Sequence, residues 1–89
     1  MYLGKVIGNV VSTSKQEGLV GTKILIVRKL DEKQNETDEI EIAIDTVGAG
    51  SGETVLVSNG SSARNIEGMN DTPVDAAIVG IVDSVELLK

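Results

Sequence analysis

The amino-acid sequence predicts an all-β chain, a small five-stranded β-barrel of OB-like type with one short helix before the last strand. Its 89 residues include 12 Val and 9 Ile against 7 Leu and 5 Ala, and β-branched side chains favour strands over helices. Short apolar segments are also separated by glycine-rich or polar stretches, which is typical of strands joined by turns. An open α+β sheet is the second interpretation.

Five segments have the character of strands. Between residues 39 and 44 every second residue is isoleucine, which is the period of a half-buried strand. Residues 22–30 carry apolar side chains on both faces of the predicted strand. The predicted strands are residues 2–13, 22–30, 39–47, 53–58 and 74–87.

Turn-forming residues lie between these strands. Gly18 and Gly21 separate the first two, and the glycine-rich stretch Gly48–Gly52 links the third and the fourth. The charged stretch Asp31–Asp38 predicts a solvated loop or hairpin tip between the second and the third.

The connection from residue 59 to residue 73 is long for a turn. It predicts one short helix with Ser61 or Ser62 as its N-cap. Neither serine is expected to be a nucleophile, because the chain has no histidine to act as its base. Arg64, one of only two arginines, is available for a bidentate contact with a carboxylate, and we expect this contact across a subunit boundary.

Glycines inside the first and last strands favour a closed barrel. Gly4 and Gly8 lie on one face of the first strand, and Gly80 interrupts an apolar run in the last. Interior glycines mark bulges, bends or close backbone approach, and bent strands allow a five-stranded sheet to close. Residues 76–82 are apolar on both faces, so the outward face predicts a subunit contact. The alternative is that the short helix predicted before the last strand covers this outward face.

Length and composition indicate one domain, residues 1–89, with a thin core. The absence of Cys and His excludes disulfides, thiolate zinc sites and histidine general bases. We therefore expect no metal, no cofactor and no catalytic residue. Oligomerisation is the remaining support for so small a domain.

Charge and aromatic content exclude further classes of protein. The net charge is −6 and Tyr2 is the only aromatic residue, whereas nucleic-acid binding requires basic surfaces or stacking rings. No apolar run approaches the length of about 20 residues that spans a membrane, and the N-terminus lacks a signal-peptide pattern. The sequence predicts a cytoplasmic protein that binds neither nucleic acid nor membrane.

The glycine-rich stretch does not have the context of a nucleotide site. A phosphate-binding loop needs a helix N-terminus after it, but residues 54–57 have the pattern of a strand. Asp45, Asp75 and Asp83 lie near apolar runs, and nothing in the sequence indicates that they converge. The structural interpretation is that each bonds to backbone or pairs with Arg64 or a lysine.

Three motifs in order resemble the EutN/CcmL family of bacterial microcompartment vertex proteins. Residues 45–53 read D-T-V-G-A-G-S-G-E, residues 60–64 read G-S-S-A-R, and residues 73–83 read P-V-D-A-A-I-V-G-I-V-D. The segments 3–11 and 19–27 also resemble the family. The resemblance covers nearly the whole chain, apart from residues 29–38.

The resemblance implies an OB-like barrel that assembles into a pentamer. Such pentamers close the five-fold corners of a polyhedral shell whose facets are hexameric shell proteins, and the family has no catalytic activity. The competing interpretation is an OB-like module that binds a ligand or nucleic acid.

The resemblance also implies roles for particular residues. The loop of Gly48, Ala49, Gly50, Ser51 and Gly52 is expected around the symmetry axis. The residues expected at the subunit interface are Ser61, Ser62, Arg64, Asp45, Asp75, Asp83, Val79 and Ile81.

Overall fold

The chain forms a closed five-stranded barrel, seen in a computed structural model that describes residues 1–12, 17–19, 21–60 and 75–88. Around the barrel the strands follow the order β1-β2-β3-β5-β4, with β3 and β5 parallel and the other neighbours antiparallel. The all-β barrel predicted from the sequence is confirmed. Its elements are β1 (Tyr2–Asn9), a 3₁₀ helix (Glu17–Leu19), β2 (Ile24–Leu30), β3 (Glu36–Asp45), β4 (Thr54–Asn59) and β5 (Ala76–Ile81).

Two predicted strands are too long, because their partners end first. β1 was predicted to reach residue 13 but ends at Asn9. Its last bond to β2 runs from the amide of Val10 to the carbonyl of Ile24, where β2 begins. β5 ends at Ile81 rather than residue 87, because it pairs with the first residues of β4 there.

The third strand begins earlier than predicted, at Glu36 instead of residue 39. The side chain of Asp31 accepts hydrogen bonds from the backbone amides of Lys33 (2.8 Å) and Asn35 (2.9 Å). This local turn reverses the chain within a few residues. The predicted hairpin tip is therefore confirmed in a shorter form, and Glu36 already pairs with Leu30. The helix predicted between residues 59 and 73, with Ser61 or Ser62 as its N-cap, lies outside the described part of the chain, which leaves out residues 61–74.

The barrel interior holds small and branched apolar side chains. Tyr2 packs against this cluster while remaining partly exposed. The buried cluster consists of Val6, Leu25, Val27, Ala43, Ala49, Val55, Val57, Ala76 and Ile78.

Among the described residues no helix is long and apolar enough to cross a membrane.

The glycines of β1 and β5 lie where the sequence predicted bends or close approach. The register between β1 and β2 shifts between Val6 and Gly8, and the register between β4 and β5 shifts beside Gly80. At Gly4 a Cβ atom would overlap Cγ1 of Val27 on β2. The glycines thus allow the strands to bend and pack closely enough for the barrel to close.

Two isoleucines of β3, Ile40 and Ile42, face away from the barrel interior. The alternation predicted a half-buried strand, but Ile40 and Ile42 are each 53% exposed, whereas Ala43 is 1% exposed. The interior is filled from this strand by the small side chain of Ala43, which lies opposite the buried Leu25 of β2. A bulky apolar face therefore lies on the outside.

Candidate functional site

The glycine loop connects β3 to β4 and has a conformation that requires glycine at two positions. Gly48 and Gly52 have φ angles of +81° and +84°, a region that side chains with a Cβ atom disfavour. Gly48, Ser51 and Gly52 are exposed and Gly50 is partly exposed. The tip of the loop is therefore a small-residue surface on the outside of the subunit.

Asp45 holds the start of this loop. Its side chain is only 2% exposed, and its Oδ1 accepts hydrogen bonds from the amides of Val47 (3.0 Å) and Gly48 (3.1 Å). Nζ of Lys23 lies 3.8 Å from Oδ2. The sequence predicted that this carboxylate would bond to backbone or pair with a basic residue. The contacts of Asp45 confirm this prediction.

Glu53 and β1 hold the end of the loop. Oε1 of Glu53 accepts a hydrogen bond of 2.6 Å from the amide of Gly50. The amide of Gly52 donates to the carbonyl of Val6 (2.8 Å), and the amide of Val6 donates to the carbonyl of Glu53 (3.0 Å). The two acidic residues that flank the loop thus act as acceptors that fix its backbone.

Ala49 anchors the loop to the barrel. Its side chain is fully buried in the main core, and its carbonyl accepts a hydrogen bond of 2.5 Å from Nζ of Lys23. The amides of Gly48, Gly50 and Gly52 donate within the subunit, so they are not directed at a ligand. This arrangement is that of a rigid structural loop.

The other predicted interface residues are spread over the subunit surface. Asp75 and Asp83 are exposed, and Ile81 is 40% exposed. Val79 is partly buried and packs on a small outer cluster. The outward face of β5 is thus partly covered, with Leu19 of the 3₁₀ helix contributing to the cover. Ser61, Ser62 and Arg64 lie outside the described residues.

A polar group around Tyr2 was not predicted from the sequence. The hydroxyl of Tyr2 donates a hydrogen bond to Oε1 of Glu41, and Nζ of Lys29 lies 5.3 Å from the centre of the Tyr2 ring. Lys29 also pairs with Glu39 at 3.3 Å. Burial, followed by the hydrogen bond to Glu41 and the charges of Glu41 and Glu39, raises the pKa of Tyr2 well above its ordinary value.

This polar group lines an open cavity of about 390 Å³ near one end of the barrel, together with Ile40 and Asn59. Among the described residues no cluster of three or more acidic side chains is placed to hold a metal ion. The one feature of the sequence that pointed to this polar group is that Tyr2, which begins β1, is the only aromatic residue. Its partners are distant in sequence and meet it only through strand pairing.

Known proteins resemble the chain over its whole length. The family profile described as ethanolamine utilisation protein EutN/carboxysome matches residues 1–83. The microcompartment shell vertex protein GrpN of Rhodospirillum rubrum is 59% identical, over 100% of both chains. The carboxysome shell vertex protein CcmL of Synechocystis is 51% identical, over 98% of this chain and 87% of the relative.

Solved structures agree with the sequence comparison. A pentameric microcompartment shell protein, GrpN from Rhodospirillum rubrum, superposes with a TM-score of 0.91 at 57% identity, over 99% of this chain and 100% of that one. These relatives are shell proteins, which agrees with the expectation that the chain is not an enzyme. The barrel, the glycine loop and the match over residues 1–83 lead to one conclusion: the chain belongs to the EutN/CcmL family.

Proposed function

We propose that the chain is a structural shell protein that forms the pentameric vertex of a bacterial microcompartment in the cytoplasm. In this role it closes five-fold corners between hexameric facet proteins. The observation that carries the proposal is the full-length identity of 59% with a shell vertex protein. The close superposition on a pentameric shell protein supports it.

The geometry of the glycine loop suits a crowded symmetry axis. Gly48, Gly50, Ser51 and Gly52 present little side-chain volume, and Asp45 and Glu53 fix the backbone within each subunit. A small and rigid loop allows five copies to approach one another closely. In this proposal Ala49 is the residue that fixes the loop to its own barrel, since its side chain is buried there.

The subunit boundary is proposed to include Arg64 and the serines Ser61 and Ser62, on the strength of the family motif. Asp75 and Asp83 are exposed, so each is accessible to an arginine of a neighbouring subunit. Asp45 is less suitable as that partner, because its carboxylate is buried and bonded within its own subunit. Val79 and Ile81 would extend the boundary with apolar contacts.

Native mass spectrometry of the purified chain tests the proposal directly. We expect a pentamer at micromolar concentration. Co-expression with a hexameric facet protein should then give closed polyhedral shells in electron micrographs, and omission of this chain should leave shells open at their corners. A chain that stays monomeric, or shells that close equally well without it, would contradict the proposal.

The alternative, an OB-like module that binds a ligand or nucleic acid, is not favoured by the relatives. A direct check is titration with single-stranded DNA at low salt, where phosphate contacts are strongest. We expect no binding.

A further inference from the structure

The outer face of strands β2 and β3 carries two apolar cross-strand pairs, and these pairs differ in how far they are exposed to solvent. Ile24 pairs with Ile44, and Ile26 pairs with Ile42. Ile44 is only 5% exposed, because Leu19 of the 3₁₀ helix and neighbouring apolar residues pack around it. Ile42 is 53% exposed. Among the residues that the structure describes, one end of this face is therefore covered and the other end is open.

The open end forms what we call the outer isoleucine surface, defined by Ile26, Ile40 and Ile42. Ile40 is also 53% exposed, and Ile7 on the adjoining strand is 40% exposed. Scattered exposed apolar residues are normal, but a group on one sheet face indicates a contact surface.

Two of the charged residues beside this surface, Arg28 and Glu36, are paired with each other, whereas Asp38 on the same face of β3 is exposed. Arg28 lies opposite Ile40. Its Nε lies 3.4 Å from Glu36, and its guanidinium donates to the carbonyl of Thr37 at 3.0 Å. Since Arg28 is already partnered, its charge does not oppose cover of the isoleucines by a protein.

The edge of β3 is open at the same place. β5 pairs with β3 only at Ile44 and Asp45, so that, within the part of the chain described, no strand lies along the other edge of residues 36–43. An open strand edge beside an exposed apolar face favours unwanted pairing in a free monomer. A specific neighbour that covers this edge and face prevents such unwanted pairing.

A five-fold ring supplies such a neighbour. Rings close through head-to-tail contacts, in which each subunit presents two different surfaces, one to each neighbour. We propose that the outer isoleucine surface is one of these two surfaces and is covered by the adjacent copy of the same chain. This inference rests on the proposed pentamer and goes beyond it by assigning the contact to β2 and β3.

Charge substitution tests the surface. We expect Ile42→Glu and Ile40→Glu to weaken the ring by about ten-fold or more in subunit dissociation, because a carboxylate would be buried against an apolar neighbour. The matched control is Leu88→Glu, at a fully exposed position near the C-terminus, which should assemble as the wild type does. Subunit number is read by native mass spectrometry over a dilution series, and folding by circular dichroism.

Cysteine labelling keeps the test decisive if a charged variant fails to fold. The chain has no cysteine, so Ile42→Cys introduces a single thiol, in a side chain that is smaller than isoleucine but avoids the carboxylate of the glutamate variant. In the assembled ring we expect a water-soluble maleimide to label it at least about ten-fold more slowly than Leu88→Cys, because a neighbour excludes the reagent.

The outcomes separate this inference from the function it rests on. A monomeric wild-type chain would contradict the pentamer itself, and with it the assigned contact. A pentameric wild type together with equally stable Ile42→Glu rings, or with rapid labelling of Ile42→Cys, would overturn the assigned surface alone.

Discussion

The ammonium group of Lys23 donates a hydrogen bond of 2.5 Å to the carbonyl oxygen of Ala49. The same group lies 3.8 Å from the buried carboxylate of Asp45. Lys23 immediately precedes β2, so it joins the start of that strand to both the beginning and the middle of the glycine loop. A lysine from a distant segment of the chain thus helps to hold the glycine loop.

We expect Lys23→Met to destabilise the fold and loosen the loop. The methionine keeps much of the apolar stem but removes the contacts with Ala49 and Asp45. Because the lysine side chain is about half exposed, we expect a loss of about 1–2 kcal/mol in the free energy of unfolding. Urea denaturation at one fixed protein concentration measures it, since unfolding of an oligomer depends on concentration.

Lys5→Met is the matched control for that substitution. Nζ of Lys5 lies 4.0 Å from Glu36, whose side chain is 52% exposed whereas that of Asp45 is 2% exposed, so its loss should cost less than about 0.5 kcal/mol. Equal effects of the two substitutions would show that the contacts of Lys23 do not hold the loop.

Gly50→Val tests whether the loop lies at a crowded axis. Among the described residues a Cβ atom at Gly50 would meet only the carboxylate of Glu53, at 3.4 Å, and Gly50 has no positive φ angle. We therefore expect the barrel to remain folded by circular dichroism while the ring weakens in native mass spectrometry. Gly50→Ala, which adds less volume, should have a smaller effect. If Gly50→Val assembles as the wild type does, the loop does not lie at a crowded symmetry axis.

Gly4→Ala tests the close approach of β1 and β2. The added Cβ would overlap the buried side chain of Val27, so we expect a loss of about 1–3 kcal/mol through overpacking. Urea denaturation measures this loss, again at one protein concentration.

A double-mutant cycle identifies the cause of that loss. Val27→Ala alone removes core volume and should cost about 2 kcal/mol. Together the two substitutions should cost less than the sum of the single effects, by about 0.5–3 kcal/mol, because the shortened side chain leaves room for the new methyl group. Strictly additive effects would mean that Val27 is not what excludes a side chain at Gly4.

Local chemistry explains why the strands and turns were predictable. β-branched residues, the turn residues around Asp31 and the glycines at Gly8 and Gly80 each act within a few residues of their position. The family motifs then indicated the glycine loop. Its two acidic ends, Asp45 and Glu53, proved to be the acceptors that fix it.

Pairing between distant strands explains what the sequence did not predict. Alternation alone cannot say which face of a strand is inside, and in β3 the interior face carries Ala43 while Ile40 and Ile42 lie outside. Lys23 and Ala49 are 26 residues apart, and Tyr2 and Glu41 are 39 apart. Such contacts depend on strand register, which also set the ends of β1 and β5.

The single tyrosine provides a direct optical test of the cluster around Glu41. Burial, then the hydrogen bond and charge of Glu41, hold the pKa of Tyr2 above the ordinary 10.0, so the folded protein should show little tyrosinate absorbance as the pH passes that value. Above pH 10 the unfolded chain releases this proton first, so the contribution of Tyr2 to stability is present below that pH and declines above it. Glu41→Gln should lower the pKa only in part, because burial is the largest cause. Half-ionisation of Tyr2 near pH 10 in the folded protein would contradict the predicted environment.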